Sequence, residues 1–519
     1  LPSWYLEGLA VELESRLTSH GRLRSPLTAA ILRALAQSEK LHLETLDKLN
    51  EGSIPKWPGG RRPYLLGGAL MHEAMSIAQP GAEGRLNQRY SRRLPFLLHQ
   101  PIEDETGFNW HQLLESSYQK IAQKSHAQIE QIKQQPQKVW KKSNFTNNSQ
   151  LNPNISPSGQ YLIYVAGDYH KGLSLNLIKR KRPKENFLQL KGETILHGNG
   201  IDRIAWQRNS KEFYYCRMAP TSHWALHCNL HVSNIKTKKS HQQTTHLRYH
   251  QPAMSPSGKK LFYIANGKGT SILMAYNIKS QQQETLVAGE PHVKLSSPTA
   301  ITSKTLLYIK RTTDGVDQLW KLNLQDKTSE QLLPQWTSIR QLKKTRIGLL
   351  FVSERNGVPN LYRLDKTLSQ VTALSNTSTA IYDADWDRHR KELIASQLTD
   401  EGPKLFSTRQ IQSVTPPQVT PMFDLSEPPI TTHTNTTELG PSEDYKTLKY
   451  FIPRYWIPFV YPIEDGFLFQ GSTSAGDPLG KHGYDLGFSY DSLSKKISYG
   501  INYFNSMSPI DFDIGYSEI

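Results

Sequence analysis

Three patterns of apolar and polar positions follow one another along the chain. Over residues 1–135, apolar residues recur every three or four positions in 6–17, 27–35, 64–77 and 110–129. That is the period of an amphipathic helix. Pro and Gly interrupt the pattern at 55–60 and 80–84, so several helices are predicted. Residues 134–154 turn polar, rich in Gln, Lys and Asn, and read as a linker. From about 150 to 413, short apolar runs alternate with turn residues. In the last fifty residues the period becomes two. Tyr484, Leu486, Phe488 and Tyr490 fall on one face, with Asp485, Gly487 and Ser489 on the other. Ile497, Tyr499, Ile501 and Tyr503 repeat the pattern against Ser498, Gly500 and Asn502. Ile510, Phe512, Ile514 and Tyr516 repeat it against Asp511, Asp513 and Gly515. With 466–474 these make four predicted strands, each with one apolar side and one small or polar side.

The middle region contains an internal repeat. Ser156-Pro157-Ser158-Gly159 leads into the run Tyr161-Leu162-Ile163-Tyr164, and Ser255-Pro256-Ser257-Gly258 leads into Leu261-Phe262-Tyr263. Residues 206–214 are a degraded copy, and further copies lie at 306–309, 348–353 and 385–395. A spacing of about 40–50 residues suits four-stranded propeller blades, and the units predict six of them. The Ser-Pro-Ser-Gly turns and the 353–362 segment (SERNGVPNLY) resemble the TolB-like (PD40) propeller family. That resemblance covers about half the chain. It implies an all-β propeller over 150–413 that binds protein or peptide partners in the periplasm.

Residues 414–444 are rich in Pro and Thr and read as an extended linker. A lead-in segment with Tyr455-Trp456 then precedes the alternating strands. The 445–519 region resembles the opening strands of bacterial outer-membrane β-barrels of the surface-antigen (Omp85-like) class. Apolar residues would face lipid and polar residues the lumen. A few strands cannot close a barrel, and the chain starts at Leu1 without an initiator Met, so the sequence reads as a fragment lacking both ends.

The bulk numbers narrow the reading only a little. The 519 residues suggest two to four domains, and a mean hydropathy of −0.57 leaves no apolar run long enough for a membrane-spanning helix. The formal net charge is +16. The cations are scattered and no nucleic-acid motif accompanies them, so no nucleic-acid partner is expected. The densest run, 179–184 (KRKRPK), reads as a solvated loop, with anionic lipid headgroups as a lesser reading. The only cysteines, Cys216 and Cys228, flank a hairpin. They read either as a disulfide or as two buried thiols.

One short motif carries candidate chemistry. Trp4-Tyr5-Leu6-Glu7-Gly8-Leu9-Ala10 with Glu14 resembles the third-ligand helix of gluzincin (peptidase MA-like) metallopeptidases. The resemblance implies that Glu7 is a zinc ligand, that Gly8 and Ala10 permit close helix packing, and that Trp4 and Glu14 support the ligand. Glu12 departs from the family pattern, which often has Tyr there. The HExxH that would supply two His ligands and the base is absent; His72-Glu73-Ala74-Met75-Ser76 is a near miss, so an HExxH is expected upstream of Leu1. The segments 64–70, 89–96 and 106–108 resemble other helices of that family and read as packing. No catalytic residue is visible, and this chain alone is predicted inactive.

Two other clusters read as polar surface. His223, His227 and His231 would share a strand face, but residues four apart lie about 13 Å apart, too far to hold one metal. Asp383, Asp385 and Asp387 read as a solvated face or blade turn. The fold expectation is a multidomain chain: an α-helical peptidase-like segment, an all-β six-bladed propeller, and a partial antiparallel transmembrane barrel. The functional expectation is an envelope protein anchored in the bacterial outer membrane, with a periplasmic propeller that binds proteins or peptides. The alternatives are a zinc metallopeptidase and barrel-mediated polypeptide translocation.

Overall fold

The computed structural model describes all residues except 52–53, 92–96, 199–200, 202, 221–224, 245–247, 268, 337, 427–444, 454, 508–509 and 519. Its first region is helical: α1 (Ser3–Leu17), α2 (Pro26–Gln37), α3 (Leu46–Asn50), α4 (Arg62–Ile77), α5 (Ala82–Tyr90), α6 (His99–Thr106) and α7 (Trp110–Lys133). Local signals set the boundaries. The Ser25 hydroxyl caps α2 ahead of Pro26, and Asn109 with Gln112 forms a reciprocal capping box on α7. α1 lies against α4 because two glycines meet: a Cβ on Gly8 would stand 2.5 Å from the Gly67 carbonyl. Trp4, Tyr5 and Trp110 interlock edge-to-face beneath this contact, with Trp4 and Trp110 centroids 4.9 Å apart.

The middle region forms six antiparallel four-stranded sheets. The first blade runs through Ser149–Ile155, Tyr161–Asp168, Gly172–Lys179 and Glu193–His197, from the axis outward. Four more blades of the same order begin at Ile204–Trp206, Arg248–Met254, Lys294–Ala300 and Ile339–Thr345. The sixth combines Ile381–Asp387, Glu392–Thr399 and Gly402–Thr408 with Lys141–Lys142 from the start of the region, Lys141 pairing Ser407 and Lys142 pairing Phe406. Chain start and chain end therefore share one sheet. Contact between the first strand of blade one and that of blade six completes the ring. The architecture is a six-bladed β-propeller.

The repeated tetrapeptide acts through its turn. Ser156 Oγ accepts from the Tyr161 amide at 3.1 Å while the Gly159 amide donates to the Ser156 carbonyl at 2.7 Å. Gly159 sits at φ +75°, which an L side chain rarely adopts. Ser255 and Gly258 build the same turn in blade three.

The helices sit on one end of the propeller. Arg33 donates to the Ser378 carbonyl at 2.8 Å, Asn376 donates to the Ile132 carbonyl at 3.0 Å, and Lys40 pairs with Asp400 at 2.5 Å. Trp57 and His20 close on Gly402 and Gly315, and Tyr169 on Gly59. The described part of the predicted extended linker, 414–426, is packed against the protein along its length. It forms a strap from the propeller back to the helices. Val414 bridges Ala373, the Val419 amide donates to the Asn356 carbonyl, Gln128 donates to the Thr420 carbonyl, and Met422 and Phe423 enter the helical core. Residues 427–444 lie outside the described residues.

The last region is an antiparallel meander of five strands. Ile457–Ile463 precedes Gly466–Gly476, which the sequence pattern took as the first; His482–Asp491, Lys496–Asn505 and Phe512–Glu518 follow. The predicted faces align in register: Tyr484 opposes Tyr503, Leu486 opposes Ile501, and Phe488 opposes Tyr499, while Asp485, Gly487 and Ser489 oppose Asn502, Gly500 and Ser498. Ile510 falls outside the last strand.

Candidate functional site

Glu7 lies at the half-buried edge of α1, where α4 brings the Tyr64 hydroxyl to donate to Glu7 Oε1 at 2.8 Å. That bond raises the Tyr64 phenol above its ordinary range. Arg22 stacks over the Tyr64 ring at 4.9 Å and is held by Glu14 at 2.7 Å, so Glu14 acts through Arg22. Trp4 and Gly8 are buried packing residues, but Ala10 is exposed. This corrects the expectation for Ala10: at a helical turn of 100° per residue it faces away from the Gly8–Gly67 contact. Glu12 is buried instead, paired with Arg16 at 3.0 Å, and burial raises its carboxyl above the usual range.

A zinc ion needs about three protein ligands. Among the described residues no group of three His, Cys, Asp or Glu side chains could hold one. Glu7 bonds the Tyr64 phenol, with the Arg22 guanidinium over that ring, and among the described residues no imidazole joins it in a ligand set. The near-miss motif is absorbed by packing: His72 sits edge-on to Phe423 of the strap, and Glu73 is buried against Lys120 and Ser116. Residues 92–96 of the segment read as packing lie outside the described residues, as does His223. His227 and His231 stand on Leu226–Asn234, where His227 Nε2 accepts from Arg248 at 3.2 Å and His231 stacks on Tyr215. Cys216 and Cys228 are joined in a disulfide across adjacent strands, with Cα atoms 5.6 Å apart.

Polar groups of several blades converge on the axis of the propeller. A cavity of about 360 Å³ is lined by the inner strands of all six blades and reaches Pro157 and Pro256 in the turns remote from the helices. Asp383, Asp385 and Asp387 correct the solvated-face reading: all three are buried. Lys343 of blade five stands 3.8 Å from Asp383 and 3.6 Å from Asp385, and donates to the Pro153 carbonyl of blade one. Burial raises the Asp385 carboxyl, against the opposing pull of Lys343 and the Ile155 amide, which donates to it at 2.8 Å. Arg203 of blade two reaches Gln341 of blade five. Asp387 turns outward from this group to pair with Arg180.

Sequence reasoning missed this axial group, though a signal existed. The inner strands of blades one, three, four, five and six carry bulges, at 151–154, 250–253, 296–299, 340–343 and 381–383. Asn152, Gln251, Ser297 and Gln341 there have φ near +55°. Three of them precede Pro153, Pro252 and Pro298. A proline inside a strand marks a bulge, and a bulge re-aims its neighbours.

No protein-family model matches the chain, and no curated protein does. Among solved structures, TolB from Acinetobacter baumannii is similar at 13% identity and a TM-score of 0.39, covering 49% of this chain. The chain spans 65% of that TolB chain, less than two thirds. An oligogalacturonate lyase from Vibrio parahaemolyticus is similar at 13% identity and a TM-score of 0.35, over 51% of this chain and 77% of its own. The propeller domain of the Trilobed protease from Pyrococcus furiosus, described as having an open velcro topology, is similar at 9% identity and a TM-score of 0.35, over 67% and 94%. At such scores the propeller assignment rests on the six sheets themselves.

Proposed function

We propose that this chain belongs to an envelope protein held in the bacterial outer membrane by its terminal sheet, with a periplasmic propeller that binds protein or peptide partners. One observation carries the anchoring. The five-stranded sheet leaves large apolar side chains exposed in register, among them Val460, Ile497, Ile501, Ile514 and Tyr516. An apolar band of this kind is unfavourable in water and suits lipid. The opposite face carries Gln470, Ser472, Ser489 and Ser498 on its middle strands, with Phe459 and Tyr461 on the first strand, and lines a concavity. The axial cavity supports the binding role, since its Lys343, Asp383 and Asp385 can pair with peptide backbone or charged ends. The helical region is the peptidase-like part of this reading, and no catalytic step is assigned to it.

The test is partition into neutral phosphatidylcholine vesicles. The chain should remain bound through a high-salt wash. Ile497→Asp with Ile501→Asp and Ile514→Asp should release it, because charge on a lipid-facing strand is strongly disfavoured. Equal retention of the triple variant would overturn the reading.

A further inference from the structure

Antiparallel blades sort their connections between the two ends of the ring. Turns joining the first and second strands, and the third and fourth, lie at one end; second-to-third turns and blade-to-blade connections lie at the other. The helices contact Gly315, Ser378, Asn376 and Asp400, all at the second end. The first end carries no contact with the helices among the described residues, and its turns are predominantly basic, although Glu193 and Glu284 at the adjoining strand ends pair with Lys238 and Lys327. Each blade contributes an exposed cation there: Arg182, Lys211, Lys259, Lys304, Arg346 and Lys391 from blades one to six. Further lysines, such as Lys236 and Lys279, lie in the outer turns. Among the described residues of these turns the acids are Glu185, Asp326 and Asp365, each bonded within its own turn. Among the described residues, the second-to-third turns at the helix-covered end hold Asp314, Asp400, Glu401 and the buried Glu354, which pairs with Arg340, against Lys171 and Arg355.

The basic end lacks the anchors of a specific protein interface. Such interfaces concentrate aromatic and apolar side chains in desolvated pockets. Among the described residues the large apolar side chain exposed at this end is Val139, on the rim beside Gln410. Among the described residues no exposed aromatic ring stands among the cations, as single-stranded nucleic acid would require for stacking. Long side chains spread over all six blades match an extended plane of negative charge. We propose that this end of the propeller docks on an anionic lipid bilayer, its turn lysines and arginines meeting the headgroup phosphates. The contact needs nothing from the terminal sheet, so it stands whether or not that sheet enters a membrane.

The experiment floats the full chain with vesicles of phosphatidylcholine alone and with vesicles in which half of that lipid is replaced by phosphatidylglycerol. The proposal expects added affinity for the anionic vesicles that falls as salt rises. Charge reversal of the six turn cations (R182E, K211E, K259E, K304E, R346E, K391E) should remove that increment, roughly tenfold or more. It should leave binding to neutral vesicles as it was, while K171E with R355E at the other end should change neither. An increment that survives the six reversals, or that K171E with R355E abolishes equally, overturns the proposal. So does wild-type binding to polyglutamate with no dependence on lipid charge. Should the sixfold variant unfold, K259Q with K304Q and, separately, R346Q with K391Q must each remove part of the increment.

Discussion

Arg180 and Asp387 join the first and last blades of the propeller through a two-pronged ion pair with N–O distances of 2.5 and 2.9 Å. Their side chains are only 1% and 0% exposed. They are 207 residues apart in the chain. The Arg180 guanidinium also lies 4.3 Å over the Phe187 ring. Next to the pair, Arg388 and His389 reach the Ser158 carbonyl in the blade-one turn. The shared sheet and this pair together close the ring.

Removing one partner of the pair leaves a buried charge without compensation. Asp387→Ala is expected to cost about 3–5 kcal/mol. Arg180→Met with Asp387→Leu should recover much of that loss, since apolar replacement of a whole buried pair is often neutral. Denaturant unfolding of the three proteins checks this. Equal stability of Asp387→Ala and the wild type would contradict it.

The α1–α4 contact depends on the absence of a side chain at Gly8. Gly8→Val would drive a branched side chain into the Gly67 carbonyl and force the helices apart, at a cost of about 1–3 kcal/mol or more. Hydrogen exchange should show α1 amides losing protection ahead of the propeller. Ala10→Val, on the exposed side of the same helix, should change little.

The disulfide closes a short loop between adjacent strands. In the chain-entropy view, loops of this size contribute about 3 kcal/mol by restricting the unfolded chain. Cys216→Ser with Cys228→Ser should lower the unfolding midpoint, and reductant should lower the wild type toward it while leaving the double variant unchanged.

Glu354 provides a test by pH. Burial raises its carboxyl above the ordinary glutamate range, opposed by Arg340 at 3.0 Å and reinforced by Asp317. The folded protein therefore holds this proton more tightly than the unfolded chain. The resulting stability is fully present below the unfolded pKa, near 4.3, and is lost as pH rises through the raised folded value. Glu354→Gln lacks this dependence. The wild-type melting temperature minus that of the variant should be greatest at acid pH and shrink as pH rises; a difference that grows with pH would contradict the assignment.

Local patterns made much of the fold legible. Period-two alternation fixes which residues of 484–503 share a face, because successive strand side chains must point to opposite sides. The Ser-Pro-Ser-Gly repeat marks a blade turn because its serine caps the turn and its glycine takes the left-handed conformation. The strand Ile457–Ile463 was missed because Pro458 and Pro462 suppress the strand signal, which an edge strand tolerates. The strap at 414–426 was missed because Pro and Thr look the same in a free linker as in an extended segment packed on a surface.

The sequence by itself determined the periods, the turns and the number of blades, since each depends on neighbours within a few residues. It also held the charges that make one end of the propeller basic, but scattered them over more than two hundred residues. Only the tertiary structure decided that those cations lie together, that Lys343 stands between Asp383 and Asp385 on the axis, and that Arg180 meets Asp387. These relationships depend on the closure of the ring. Closure is a property of all six sheets packing at once, because a single blade cannot bury both of its faces.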